Sequence, residues 1–119
     1  MGLLEVGMEV ANPKELHRRV PIRLLVDTGA SYSMIPKNVL EKIGVFPIQA
    51  EEVEVADGRK IHRDIGEVTF FWQGKGRTSQ VIFGEEGDTS LLGVLALESL
   101  ALQVDSRNQQ LKPAKLVLY

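Results

Sequence analysis

The sequence predicts a mostly-β fold, a small closed barrel or folded sandwich with one or two short helices. Three observations lead there. Apolar residues come in many short runs bounded by Gly, Pro, Asn and Asp, which is how strands and turns alternate in all-β chains. Asp57-Gly58 stands between two such runs and is the strongest local hairpin signal in the chain. Helical spacing occurs only twice, and briefly. With 119 residues, 44% of them apolar and 25% charged, the chain is expected to form a single domain, residues 1–119, around one core.

The elements follow in order. Leu3 to Val10 reads as a strand with partial alternation and Gly7 inside it. Asn12-Pro13 opens a loop. Val20 to Val26 is a strong strand whose Pro21 suits an edge. Its end, Leu24-Leu25-Val26, is continuously apolar, as in a strand buried on both faces. Met34-Ile35 re-enters the core. Pro36 starts a short helix that runs through Ile43 and stops at Gly44. Glu51 to Ala56 alternates into the Asp57-Gly58 turn, and Arg59 to Ile65 returns from it. Glu67 to Trp72 and Thr78 to Phe83 form another pair, joined through Gly74-Lys75-Gly76, and Phe70-Phe71-Trp72 divides between core and surface. Glu85 to Asp88 reads as a solvated acidic loop. Ser90 to Gly93 is a short apolar approach. Val94 to Leu102 then shows helical spacing at Val94, Leu97, Leu100 and Ala101. Gln103 to Asp105 and Gln110-Leu111 predict a hairpin around Ser106-Arg107-Asn108, and Lys115 to Tyr119 a terminal strand.

Composition removes several classes of function. A net charge of -2 gives no basic excess for nucleic acid or an anionic membrane. Without cysteine there is no disulfide, thiol catalysis or thiolate metal site. The start, MGLLEVGMEV, lacks the basic and apolar parts of a signal peptide, and Val6 spoils Gly2 as a lipidation site. No apolar run approaches the roughly 20 residues that span a bilayer. A cytoplasmic protein with no membrane partner is therefore expected. His17 and His62 lie far apart with no carboxylate pattern beside them, so no metal and no cofactor is expected. Neither G-x-x-x-x-G-K-[ST] nor G-x-G-x-x-G is present, which argues against a nucleotide-binding enzyme.

The chemistry concentrates in RLLVDTGASYSMIP, residues 23–36. A carboxylate behind Leu24, Leu25 and Val26 is costly unless its surroundings hold it charged or keep it protonated. Gly29 lets a partner approach the backbone, and Thr28 can donate and accept. Asp and Gly also favour ordinary turns, so the three letters Asp-Thr-Gly alone are weak.

Asp27-Thr28-Gly29-Ala30-Ser31 followed by Met34-Ile35-Pro36 resembles the active-site segment of aspartic proteases. Leu91-Leu92-Gly93 before a helix is similar to the second signature of retropepsins, where the glycine segment lies beside the Asp-Thr-Gly loop. The Asp57-Gly58 hairpin falls where that family has its flap. The resemblance covers nearly the whole chain. It is closest to small cellular retropepsin-like proteins. It implies that Asp27, Thr28 and Gly29 are catalytic, and that Ala30, Ser31, Ala56, Asp57, Gly58 and Arg59 line the substrate cleft. Arg59 and Lys60 make this flap tip more charged than a glycine-rich viral one.

That mechanism needs two carboxylates. Val104-Asp105-Ser106 is the nearest second candidate, but Arg107 stands where Gly is needed, so Asp105 reads as a hairpin turn residue. Two lobes would need about twice this length. The resemblance therefore implies a homodimer acting on protein or peptide substrates, with Thr28 bonding the partner loop. Residues 3–10 and 115–119 are the candidate interface, or else each pairs within its own chain. The alternative function is a weak or inactive dimer of the same fold that serves as a peptide-binding scaffold.

Overall fold

A computed structural model describes residues 4–118. Strand β1 (Glu5–Asn12) turns at Pro13-Lys14 into β2 (Glu15–Val26), its antiparallel partner along the whole length of β1. Asn12 fixes this turn. Its buried amide donates to the Ile43 and Gly44 carbonyls at 3.0 and 3.2 Å, and its Oδ1 accepts from the Lys14 N–H at 2.8 Å. Strand β2 starts at Glu15, earlier than the expected Val20. Residues 15–19 are polar or charged except for Leu16 and mostly exposed, so no apolar alternation marks them; Glu15 and Arg19 pair with Asn12 and Ala11 of β1 across an irregularity in the register.

Pro21 lies inside β2 opposite Glu9. The Val26 N–H points to Leu4 of the β1 side, and the Leu25 N–H points away to Ser90. By alternation, position 21 shares the orientation of Leu25. The N–H that proline lacks would face the open edge, as the edge reading requires.

The chain then forms β3 (Ser33–Pro36) and α1 (Lys37–Lys42). Pro36 caps the helix at its start. Gly44, at φ +77, follows its end and donates to the Glu41 carbonyl at 3.0 Å. Strand β4 (Gln49–Glu54) pairs with the first half of β5 (Lys60–Trp72), and β6 (Lys75–Gly84) pairs with the second half.

The two strands expected at 59–65 and 67–72 are thus one. Gly66 does not break it. A Cβ there would lie 2.8 Å from the Phe83 ring, so glycine leaves room for a core aromatic. The two-residue turn of this sheet is Gln73-Gly74, both at positive φ (49° and 83°). Lys75 and Gly76, expected in that turn, belong to β6. Asp57-Gly58 instead lies in a three-residue loop. The Val55 N–H donates to Arg59, the Gly58 N–H donates to Val55 (both 2.9 Å), and Gly58 sits at φ +88.

Strand β7 (Leu91–Leu92) leads into α2 (Val94–Ser99), followed by the hairpin β8 (Leu102–Asp105) and β9 (Gln110–Pro113). The helix is shorter than expected because Ala101 turns to φ +53 and Leu102 is already in a strand. Residues 114–118 form no strand, so the expected terminal strand is absent among them; Tyr119 lies outside the described residues.

The large sheet runs β1-β2-β7-β3-β6-β5-β4, and β5 pairs back to β1 at Glu9↔Phe71, Val10↔Phe70 and Ala11↔Thr69. Six strands so make a hydrogen-bonded circuit, with β4 outside it. The core holds Val10, Leu24, Ile35, Leu40, Val68, Phe70, Val81 and Leu92, all fully buried. Trp72 packs against it at partial exposure. Phe71 is half-buried under the Arg19 guanidinium, 4.0 Å from its ring centre. The 85–88 loop is not merely solvated. Asp88 accepts from the Glu85 N–H at 2.8 Å and pairs with Arg63 of β5 at 3.3 Å.

Candidate active site

Asp27 follows the last residue of β2, where β7 lies alongside: Leu25↔Leu91 and Val26↔Leu92 are parallel partners. The ladder continues one step further, with the Asp27 N–H donating to the Leu92 carbonyl at 3.0 Å. The chain then turns sharply. The Ala30 N–H donates to the Asp27 carbonyl at 3.2 Å, and the Gly29 N–H donates to Asp27 Oδ1 at 2.9 Å. One carboxylate oxygen is therefore oriented by the loop itself. A Cβ on Gly29 would sit 3.2 Å from that oxygen, tight enough to press on the carboxylate.

The expectation that the end of β2 is buried on both faces is corrected. Leu24 is fully buried, but Leu25, Val26 and Asp27 are half-buried, and Thr28, Gly29 and Ser31 are exposed. Strand β7 covers one edge of this end of β2 without covering both faces. The Thr28 hydroxyl makes no hydrogen bond among the described residues.

Leu91-Leu92-Gly93 lies against this loop, as the glycine-segment resemblance implies. The Val94 N–H donates to Ala30 at 2.8 Å and the Leu95 N–H to Ser31 at 3.1 Å. The Gly93 N–H donates to Ser33 Oγ at 2.9 Å. A Cβ on Gly93 would lie 2.5 Å from the Tyr32 carbonyl oxygen, so only glycine fits. Sequence reading found Gly93 but missed Ser33. The available signal was a hydroxyl placed directly before Met34-Ile35 in a core strand.

Ala56, Asp57, Gly58 and Arg59 form the tip of the β4–β5 hairpin. Its ties are internal: Asp57 Oδ1 accepts the Arg59 N–H at 2.9 Å, and Oδ2 accepts Arg59 Nε at 2.7 Å. The Arg59 N–H first, and its guanidinium second, hold the Asp57 carboxyl below its ordinary value. Strand β4 has no strand partner besides β5, and no hydrogen bond joins the tip to residues 27–31 among the described residues.

Asp105 is the turn residue expected. It accepts from Asn108 Nδ2 at 2.8 Å and the Asn108 N–H at 3.2 Å, and these bonds, the side chain's first, lower its pKa. His17 pairs with Glu15 on the surface. A concavity of ≈ 690 Å³ lies between β1, β2 and the 73–74 turn, and residues 27–31 do not line it. No helix among the described residues is long and apolar enough to cross a membrane.

Comparison with known proteins bears on the family and the fold. The family described as Aspartyl protease matches residues 13–96. The fold is similar to that of EIAV protease complexed with the inhibitor HBY-793, at TM-score 0.59 and 17% identity over 93% of this chain and 89% of that one. It is similar to a retropepsin-like aspartic protease from Rickettsia conorii, at TM-score 0.51 and 20% identity over 88% and 87%. The protease of Simian Foamy Virus (mac) matches at TM-score 0.50 and 21% identity over 80% and 91%. Among curated proteins none matches. With the family matched across most of its length and the fold similar to that of retropepsins, the chain belongs to the aspartyl proteases and has a retropepsin-like fold.

Proposed function

We propose that the chain is an aspartic endopeptidase working as a homodimer, with Asp27 of each copy forming the catalytic pair. One observation carries this reading. The Asp27 loop is held from behind by backbone bonds to Leu92, Val94 and Leu95, while the carboxylate is half-exposed and Thr28 and Gly29 face outward. A carboxylate so mounted suits a partner that arrives from outside the chain. No second Asp-Thr-Gly exists in the sequence to supply it from within.

Two carboxylates about 3 Å apart cannot both ionise, so they share one proton. The ionised one takes a proton from a water, which attacks the peptide carbonyl carbon. The protonated one donates to the carbonyl oxygen. The carboxyl that took the water's proton gives it to the leaving nitrogen as the C–N bond breaks, and the hydroxyl proton of the collapsing tetrahedral species returns to the other carboxylate. Thr28 of each copy bonds the other loop's backbone and sets the register. Ala30 and Ser31 line the cleft, and Ala56 to Arg59 close over it.

Asp27→Asn keeps shape and removes the general base. It is expected to abolish cleavage of unfolded protein substrates while leaving the melting temperature within a few degrees of wild type. Undiminished cleavage by this variant refutes the mechanism.

A further inference from the structure

Four hydrogen bonds hold the Asp27 loop and its exit to the segment around Gly93. Three run from backbone to backbone: Asp27 to Leu92, Val94 to Ala30 and Leu95 to Ser31. These tolerate any side chain. The fourth depends on residue identity, because the Gly93 N–H donates to the Ser33 hydroxyl across 60 residues of sequence.

Ser33 is 0% exposed. It begins β3 opposite Val81, and Ile35 and Leu92 are likewise in the core. A hydroxyl at that depth costs free energy unless it is bonded, and alanine or valine would fill an apolar strand position more cheaply. Gly93 has no other arrangement open to it. It is pressed against the Ser31 and Tyr32 carbonyls, 2.9 and 2.5 Å from where a Cβ would be. Its N–H is shut in with Ser33 Oγ as acceptor.

We infer that Ser33 is a positioning residue of the proposed peptidase, holding the Asp27 loop in place through the Gly93 N–H; this rests on the reading of Asp27 as catalytic. Removing the acceptor leaves a buried N–H unpaired, and the Leu92–Gly93 backbone relaxes away to solvate it. The Asp27 N–H bond to Leu92 shifts with it. Small displacements of reacting groups are expensive: about 1 Å can cost roughly a hundredfold in rate.

The test uses the chain of residues 1–119 and three readouts: kcat and KM on an unfolded protein substrate, the pH profile of kcat, and amide hydrogen exchange at residues 27 and 92–95. Ser33→Ala is expected to lower kcat by roughly ten- to a hundredfold with KM nearly unchanged, to displace the pH profile, and to speed exchange locally at Gly93. Ser33→Thr keeps the hydroxyl and should restore most of kcat. Val81→Ala opens a cavity beside Ser33 without touching its bond. It should lower the melting temperature while leaving kcat and the pH profile as in wild type. If Ser33→Ala does not fold, Ser33→Cys offers a similar shape with a poorer acceptor, and a lowered kcat supports the inference.

Wild-type kcat in Ser33→Ala or Ser33→Cys overturns it. So does a Val81→Ala variant that loses kcat in step with stability. A wild-type chain that cleaves nothing refutes the peptidase reading instead. The loop tie is then decided by exchange alone, faster exchange at Gly93 in Ser33→Ala supporting it and unchanged exchange refuting it.

Discussion

Gly93 and Gly66 are both closed in, but by obstacles of different kinds. At Gly66 a Cβ meets the edge of the Phe83 ring at 2.8 Å, and a ring can shift. At Gly93 it meets the Tyr32 carbonyl oxygen at 2.5 Å, and backbone cannot move without dragging the Asp27 loop with it. Gly66→Ala is expected to cost about 1–3 kcal/mol, the usual range for overpacking a core. Gly93→Ala should cost more and should also remove activity. Chemical denaturation with a parallel cleavage assay measures both. Equal costs for the two would contradict the distinction. Asp27 itself was legible from its letters and neighbours. Its half-exposure was not, because burial depends on what covers the end of β2, and the cover comes from residues 91–92.

At the scale of elements, the β4–β5 hairpin shows how turn chemistry can be sensed and still be misassigned. Asp57-Gly58 did mark a hairpin, but the loop has three residues, closed by the Val55–Arg59 and Gly58–Val55 backbone bonds, and the Asp57 carboxylate adds bonds to the Arg59 N–H and guanidinium. Folding lowers the Asp57 pKa, so this contribution is complete above the ordinary value of 3.8 and is lost as pH falls through the lower folded value. The tip should therefore stay tied at mildly acidic pH. An NMR titration should place the Asp57 midpoint below 3.8, and Arg59→Ala should raise it towards that value. A midpoint unchanged by Arg59→Ala would show that the tie is not formed in solution. The same sheet explains the merging of two expected strands into β5. Gly66 reads as punctuation in a single chain of letters, yet pairing with β6 on one side and with β4 and β1 on the other carries the strand straight through. Residues 15–19 are the converse case, a strand with no apolar rhythm, tied to β1 only through Glu15 and Arg19.

At the scale of the whole molecule, the proposed dimer predicts that activity per chain falls on dilution, following the dissociation constant. Full activity from a chain shown to be monomeric by sedimentation would contradict it. Glu5–Val10 pair with β2 within the chain. Leu116, Val117 and Leu118 are exposed at 79%, 51% and 100% and join no strand. If they belong to the dimer, deleting 115–119 should raise the dissociation constant and leave monomer unfolding unchanged; unaltered dimerisation would exclude them.

The sequence by itself determined the mostly-β class, most of the elements, the turn at Asp27 and the glycine segment that lies against it. These are local matters: turn residues, short apolar runs and one motif carry their own physical signal. Only the tertiary structure decided which strands join, how far Asp27 is covered, and that Ser33 receives the Gly93 N–H. Each of these depends on a partner many residues away, and a hydrogen bond across 60 residues leaves no periodicity for the sequence to display.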